Sequence, residues 1–271
     1  MHKTIKDITQ MKRKEKITVL TGYDSTMVTL CEQVDIILVG DSAGMVMLGY
    51  ENTSSVTMED MIRFTTAAKN ARKNSLIVSD LPINSYKNEK NAVTNSLRLM
   101  EAGADAIKLE GGREIADIIK SITESKIPVM GHLGLLPQTA EKYTVQGKTK
   151  ENAIQLIEDA KIITESGVFS IVLEMVSSQV AKIITEKISV PTIGIGSGKN
   201  CDGQVLVVHD MLGLFENIKP KFAKRYLSLS EEIRNAVKSY VEEVKNEKFP
   251  AIENEFQMDE NEYSKLRKEI V

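Results

Sequence analysis

Cysteine is nearly absent from this 271-residue chain, which holds only Cys31 and Cys201. Two such residues cannot build a disulfide framework, and neither belongs to a CxxC or Cys/His cluster that would hold zinc, so a reducing cytoplasm is the expected setting. Positive charge is not in excess either. Lys and Arg number 35 against 38 Asp and Glu, and the net charge of -3 leaves no surplus to grip a phosphate backbone, which argues against a nucleic-acid partner. Long apolar runs are missing as well: no stretch approaches ~20 uninterrupted apolar residues, so no membrane span is expected. The segment "MHKTIKDITQMKRKEK" carries positive charge, but no apolar stretch follows it, and it predicts no export signal.

What remains is a chain of ordinary globular composition, 42% apolar and 27% charged. Short apolar runs recur along it at 16–21 ("KITVLT"), 35–41 ("DIILVGD"), 75–82 ("SLIVSDLP"), 105–112 ("DAIKLEGG"), 127–134 ("IPVMGHLG"), 170–176 ("SIVLEMV"), 190–198 ("VPTIGIGSG") and 203–211 ("GQVLVVHDM"). Each reads as a strand. Most of the gaps read as amphipathic helices, with Ile115, Ile118, Ile119 and Ile122, or Ile154, Ile157, Ala160 and Ile163, at spacings of three and four. Thr57 with Asp60 forms a candidate capping box, and Gly103 and Gly167 stand where a glycine would end a helix. Eight apolar strands alternating with helices predict a parallel (β/α)8 TIM barrel, since such strands must be covered on both faces, and a barrel can run to roughly 250 residues as one domain. The expected organisation is a single barrel domain over 1–256 and a charged tail over 257–271.

The strands share a second property. "EAGADAIKLE" and "ESGVFSIVLE" align residue for residue and place Glu110 and Glu174 seven positions after a helix-ending glycine. Asp41 and Asp80 close their own apolar runs in the same fashion. In a parallel barrel all strand C-termini meet at one mouth, where barrel enzymes place their chemistry. Carboxylates gathered there repel one another, and a cation relieves the repulsion. Oxygen ligands without cysteine or clustered histidine suit a hard ion, Mg2+ or Mn2+. Lys108 lies two residues from Glu110, hence on the same side of its strand, where an amine can hold an anionic substrate. Taken singly, these residues also have structural readings: each acid can cap a helix or pair with a basic residue, Lys108 can neutralise Glu110, and His132 can be a buried structural histidine. "GIGSG" (194–198) can bind phosphate on its backbone N–H groups or merely turn the chain.

The motifs "TGYDSTMV", "VGDSAGMVMLGY", "VSDLPINSY", "AIKLEGG", "PVMGHLGLLPQ", "VQGKT", "IVLEMV", "TIGIGSGKNCDGQVLVVHDMLG" and "RYLSL" resemble, in order, those of the ketopantoate hydroxymethyltransferase (3-methyl-2-oxobutanoate hydroxymethyltransferase) family. The resemblance runs from about residue 3 to 256. It implies a Mg2+ ion held by Asp41, Asp80 and Glu110, and a 2-oxo acid contacted by Asp41, Ser42, Asp80 and Lys108, with His132 near the substrate. Glu174 matches the family's proton acceptor. The implied reaction moves a one-carbon unit from 5,10-methylenetetrahydrofolate to 3-methyl-2-oxobutanoate and gives 2-dehydropantoate, the committed step toward pantothenate and coenzyme A, in a homo-oligomer. The end of the chain departs from the family pattern: where a "FPxxEHSF"-like segment is common, this chain has "FPAIENEF" and then about fifteen further residues. The competing expectation is a folate-independent, Mg2+-dependent carbon–carbon lyase or mutase on the same barrel, although the "KKCGH" motif frequent in such enzymes is absent.

Overall fold

The structure, a computed structural model, describes residues 2–270. The chain begins with helix α1 (Ile5–Gln10) and strand β1 (Ile17–Thr21), followed by α2 (Ser25–Leu30), β2 (Ile36–Val39), α3 (Ala43–Val46), α4 (Met58–Ala71) and β3 (Leu76–Asp80). Next come α5 (Glu89–Ala102), β4 (Ala106–Glu110), α6 (Ala116–Glu124), β5 (Val129–Gly134), α7 (Lys150–Glu165), β6 (Ser170–Glu174), α8 (Ser178–Lys187), β7 (Thr192–Ile195) and β8 (Gly203–Leu206). The last elements are α9 (Val208–Leu212), α10 (Leu229–Lys245) and α11 (Glu260–Ile270). All eight strands are parallel and close into one barrel in the order β1 to β8, the fold expected from the apolar runs.

Alternation along each strand divides the buried residues into two layers. Ile36, Leu38, Leu76, Val78, Ala106, Met130, Val172, Ile193 and Val205 fill the barrel interior. Their neighbours Ile37, Val39, Ile77, Ile107, Leu109, Ile171 and Leu173 pack outward against the helices. Ile8 and Met11, at and just beyond the end of α1, belong to the interior layer and plug the barrel at the end where the strands begin. The helix signals behave as expected. Thr57 and Asp60 cap α4 reciprocally, with Thr57 Oγ1 accepting from the Asp60 N–H at 3.2 Å and Asp60 Oδ2 from the Thr57 N–H at 3.0 Å. Gly103 ends α5 at φ +114, a left-handed conformation that glycine adopts without a Cβ clash.

Three expectations need correction. The run 203–211 is not one strand: β8 stops at Leu206, the Val208 N–H donates to Thr21 Oγ1 at 3.0 Å, and the chain turns into α9. The alternation of strand and helix also breaks between β7 and β8, where the seven residues 196–202 are too few to carry a crossover helix. Asp41 is not a strand terminus either, because β2 ends at Val39 and Asp41 lies in the turn before α3. As a result the outer flank of β8 and β1 is open: Thr18 and Gln204 are exposed where residues of the other strands are covered. Beyond the barrel, α10 and α11 carry no buried residue. Among the described residues no helix is long and apolar enough to cross a membrane, and Cys31 and Cys201 are free.

Candidate active site

Period-two alternation that puts Leu76, Val78 and Ala106 inside the barrel also turns Asp80, Lys108 and Glu110 inward. Strand register then sets neighbours side by side, with Asp80 opposite Lys108, Glu110 opposite His132 and Gly134 opposite Glu174. All the residues expected to form a site converge. Asp41, Ser42, Asp80, Lys108, Glu110, His132 and Glu174 line one cavity of about 320 Å³ at the C-terminal mouth of the barrel. Its outer wall is apolar, built by Met45, Val46, Tyr143, Phe215, Ile218 and Phe222.

The polar floor is tightly connected. Lys108 Nζ pairs with Asp80 Oδ2 at 2.9 Å, and the same oxygen accepts the Asp41 N–H at 3.1 Å. Asp80 Oδ1 is buried with no hydrogen-bond partner among the described residues. Asp41 Oδ2 accepts from Gln138 Nε2 at 2.7 Å, and Glu110 Oε2 accepts the Gln138 N–H at 3.1 Å. His132 stands between two acids, its Nδ1 3.4 Å from Glu110 Oε1 and its Nε2 3.3 Å from Glu174 Oε2. Both ring nitrogens lack a well-aligned hydrogen bond, so the bridge is one of charge more than of geometry. Ser42 Oγ shares a hydrogen bond with the Tyr23 hydroxyl at 2.8 Å.

Negative charge outweighs positive in this enclosure, and burial makes the imbalance costly. Burial, with the charges of Asp80 and Glu110 beside it, pushes the Asp41 carboxyl up to about 8. Asp80 is raised as well, by burial that its Lys108 partner only partly offsets. For Glu110 burial works upward too, but His132 and Lys108 overcome it and hold the group below the usual carboxylate range. Burial works against charging His132, yet Glu110 and Glu174 prevail and raise it to about 9. Lys108 is likewise kept charged: burial opposes the charge, and the attraction of Asp80, Glu110 and Asp41 exceeds that penalty.

These features bear on a metal ion. Among the described residues no three His, Cys, Asp or Glu side chains are gathered into a ready-made cage. The donor set nevertheless fits Mg2+, which commonly takes one or two carboxylates and leaves its other positions to water and substrate. Asp80 offers an orphaned oxygen, and Asp41 keeps Oδ1 once Gln138 has taken Oδ2. Both oxygens of Glu110 face His132 or Gln138, so it adds charge more readily than a free ligand atom.

A family model described as "Ketopantoate hydroxymethyltransferase" matches residues 2–252. The chain belongs to the ketopantoate hydroxymethyltransferase family. A 3-methyl-2-oxobutanoate hydroxymethyltransferase of Nitrosopumilus maritimus (strain SCM1) is 57% identical, with 100% of this chain and 99% of that protein covered. One of Cenarchaeum symbiosum (strain A) is 54% identical over 93% and 98%. Among solved structures, phosphoenolpyruvate phosphomutase from Streptomyces platensis subsp. rosaceus superposes with a TM-score of 0.62 at 12% identity, covering 98% of this chain and 99% of that one. A 2,3-dimethylmalate lyase of the PEP mutase/isocitrate lyase superfamily gives 0.58 at 12%, covering both chains fully. At such identity the likeness is one of fold alone. Sequence sides with the hydroxymethyltransferase family, against the lyase and mutase alternative.

Several participants had no signature of their own in the sequence: Tyr23, Tyr86, Gln138 and the apolar wall from Phe215 to Phe222. Each is recruited from a loop; Tyr23, Tyr86 and Gln138 fall within the family-like motifs "TGYDSTMV", "VSDLPINSY" and "PVMGHLGLLPQ", which was the one signal that could have pointed to them. In the "GIGSG" segment Gly194 and Ile195 end β7, and residues 196–198 bend away with structural duties. Ser197 Oγ donates to Leu173 O at 2.7 Å and accepts the Val176 N–H at 3.0 Å, tying β6 to the end of β7. Gly196, at φ +67, leaves room for Phe222, whose ring a Cβ would meet at 2.9 Å.

The raised groups set a pH dependence for the metal-free protein. Folded Asp41 keeps its proton up to about 8 whereas the unfolded chain loses it near 4, so the stability it contributes is present at low pH and lost as pH rises through 8. His132, raised to about 9, acts in the same direction. The melting temperature of EDTA-treated protein should therefore fall between pH 5 and 9, less steeply in Asp41→Asn, and Mg2+ should restore it at pH 8. Scanning calorimetry across that range checks this, and a flat or rising trend would contradict it.

Proposed function

We propose that this protein transfers a hydroxymethyl group from 5,10-methylenetetrahydrofolate to 3-methyl-2-oxobutanoate to give 2-dehydropantoate, the first committed step of pantothenate and coenzyme A biosynthesis. The observation that carries this reading is the convergence of Asp41, Asp80, Lys108 and Glu174 on one cavity in a chain of this family. Asp41 and Asp80, with Glu110 behind them, are the residues that would hold Mg2+, and what the bound ion contributes is Lewis-acid polarisation of the keto acid's carbonyl. Lys108 and the Ser42 hydroxyl line the same floor and can bind the acid's carboxylate and orient it. Glu174, partly open to the cavity with a side chain 15% exposed, is the group that would take the C3 proton. His132, held charged between Glu110 and Glu174, would tie the base to the floor by electrostatic attraction. Lys108 lowers the energy of the enolate that proton removal leaves. One water cleaves both C–N bonds of the folate's methylene bridge to release tetrahydrofolate and formaldehyde, and C3 attacks the formaldehyde carbon, whose oxygen takes back the proton from Glu174 and becomes the new hydroxyl. The apolar wall of Met45, Val46, Phe215, Ile218 and Phe222 gives the folate ring system a surface to lie on.

The assay is formation of ketopantoate from both substrates. Turnover should require methylenetetrahydrofolate, disappear in EDTA, return with Mg2+ or Mn2+, and fall at least 100-fold in Asp41→Ala or Asp80→Ala. Full turnover in rigorously metal-free buffer would remove the metal from the account. Carbon–carbon cleavage of a 2-oxo acid without folate would move the protein to the lyase class.

We also propose that the chain works as a homo-oligomer. Two features support this: the open flank of β8 and β1, with Thr18 and Gln204 exposed, and α10, whose Ile233, Val237, Tyr240, Val241 and Val244 form an apolar stripe at helical spacing that stays exposed among the described residues, with Tyr240 meeting Phe249 edge to face. A parallel barrel needs its strands covered, so a second copy's α10 is the fitting occupant. Light scattering should report a multimer, and Val237→Glu with Val241→Glu should reduce its mass. A monomeric wild-type protein would contradict the proposal.

A further inference from the structure

We infer that Gln138 is a positioning residue that sets the carboxylate oxygens of the site without touching substrate. It sits in the turn after β5, is only 4% exposed, and is not part of the cavity wall, so any effect on chemistry must pass through its neighbours. Those neighbours come from three other strand ends. Its Nε2 donates to Asp41 Oδ2 at 2.7 Å and to Leu81 O at 3.0 Å, its Oε1 accepts the Tyr86 hydroxyl at 2.7 Å, and its backbone N–H donates to Glu110 Oε2 at 3.1 Å. One residue thus clasps the loops that follow β2 and β3 to the last residue of β4.

The amide can face only one way. Asp41 Oδ2 and Leu81 O both accept, so the NH2 must point at them, while a flipped amide would set its oxygen against two others in a buried space. Tyr86 reinforces that orientation by donating to Oε1. Asp41 has particular need of the brace, because it lies beyond the end of β2 and no strand ladder holds it. With Oδ2 pinned by Gln138, its other oxygen is left for a ligand. An amide suits this position because it donates to two acceptors without adding charge to an already charged floor.

This inference rests on the reading that Asp41 and Asp80 hold Mg2+, and the test separates the two. Mg2+ is titrated calorimetrically into EDTA-treated, full-length protein without substrates. Gln138→Met, which keeps the length but donates nothing, should weaken Mg2+ binding 10- to 100-fold, the usual range for a residue that orients metal ligands. Its lost turnover should be recovered in large part by excess Mg2+, as a general packing defect would not be. Tyr86→Phe should weaken binding by a smaller factor, and the double variant should bind no more weakly than Gln138→Met, since Tyr86 acts through the same amide. Wild-type Mg2+ affinity in a folded Gln138→Met protein, or additive effects in the double variant, would overturn the inference. If Gln138→Met does not fold by circular dichroism, Tyr86→Phe decides, and unchanged affinity there overturns it. A wild-type protein that binds no Mg2+ would instead overturn the metal reading beneath it, and this inference with it.

Discussion

Everything at the mouth of this barrel depends on holding carboxylates out of water with too little positive charge to balance them. Asp41, Asp80 and Glu110 are each 5% exposed or less, and one buried lysine and one buried histidine stand against them and Glu174. Water would stabilise such charges and an apolar interior does not, so the site either takes up protons or takes up a cation. The elevated Asp41 and Asp80 show the first response, and the orphaned Asp80 oxygen marks where the second would act. In the proposed function this floor receives a divalent ion together with an anionic substrate.

The parallel barrel supplies the rigidity that such a floor requires. Asp80, Glu110 and Glu174 are the last residues of β3, β4 and β6, and adjacent register fixes their neighbours in turn. Lys108 is held by Asp80 on the next strand, and His132 by acids from the strands on either side. Loops complete the site: Gln138 braces Asp41, Tyr23 holds Ser42, and the Phe215 to Phe222 segment roofs the cavity with apolar surface. Asp80, Lys108, Glu110, His132 and Glu174 are thereby placed on strands, while Asp41 and the apolar contacts fall to connections.

Much of this was legible in the sequence, for a physical reason. Strands buried on both faces must be apolar throughout, which makes them stand out, and the charges that interrupt them at Asp80, Lys108, Glu110 and Glu174 stand out equally. What stayed hidden depends on distance along the chain. "GQVLVVHDM" carries a strand's composition, and only Thr21, 187 residues earlier, captures the Val208 N–H and ends β8 early. Gln138 reaches Asp41 across 97 residues from a turn whose pattern says nothing of an amide brace. His132 could be read as structural or functional until the register of β4, β5 and β6 placed it between Glu110 and Glu174. The missing crossover before β8 was also concealed, because "GIGSGKNCDG" separates two apolar runs without showing that it spans the barrel with no helix.

The central claim is that Glu174, from a strand apart from the Asp41 and Asp80 floor, removes the C3 proton of the bound keto acid. Hydrogen exchange at C3 of 3-methyl-2-oxobutanoate in deuterated water, followed by proton NMR with Mg2+ present, isolates that step from folate chemistry. Wild-type protein should exchange the C3 hydrogen, and Glu174→Gln should still bind the keto acid by calorimetry while exchanging it roughly two to four orders of magnitude more slowly, the usual worth of a general base. Undiminished exchange in Glu174→Gln would assign the base to another group and contradict the account.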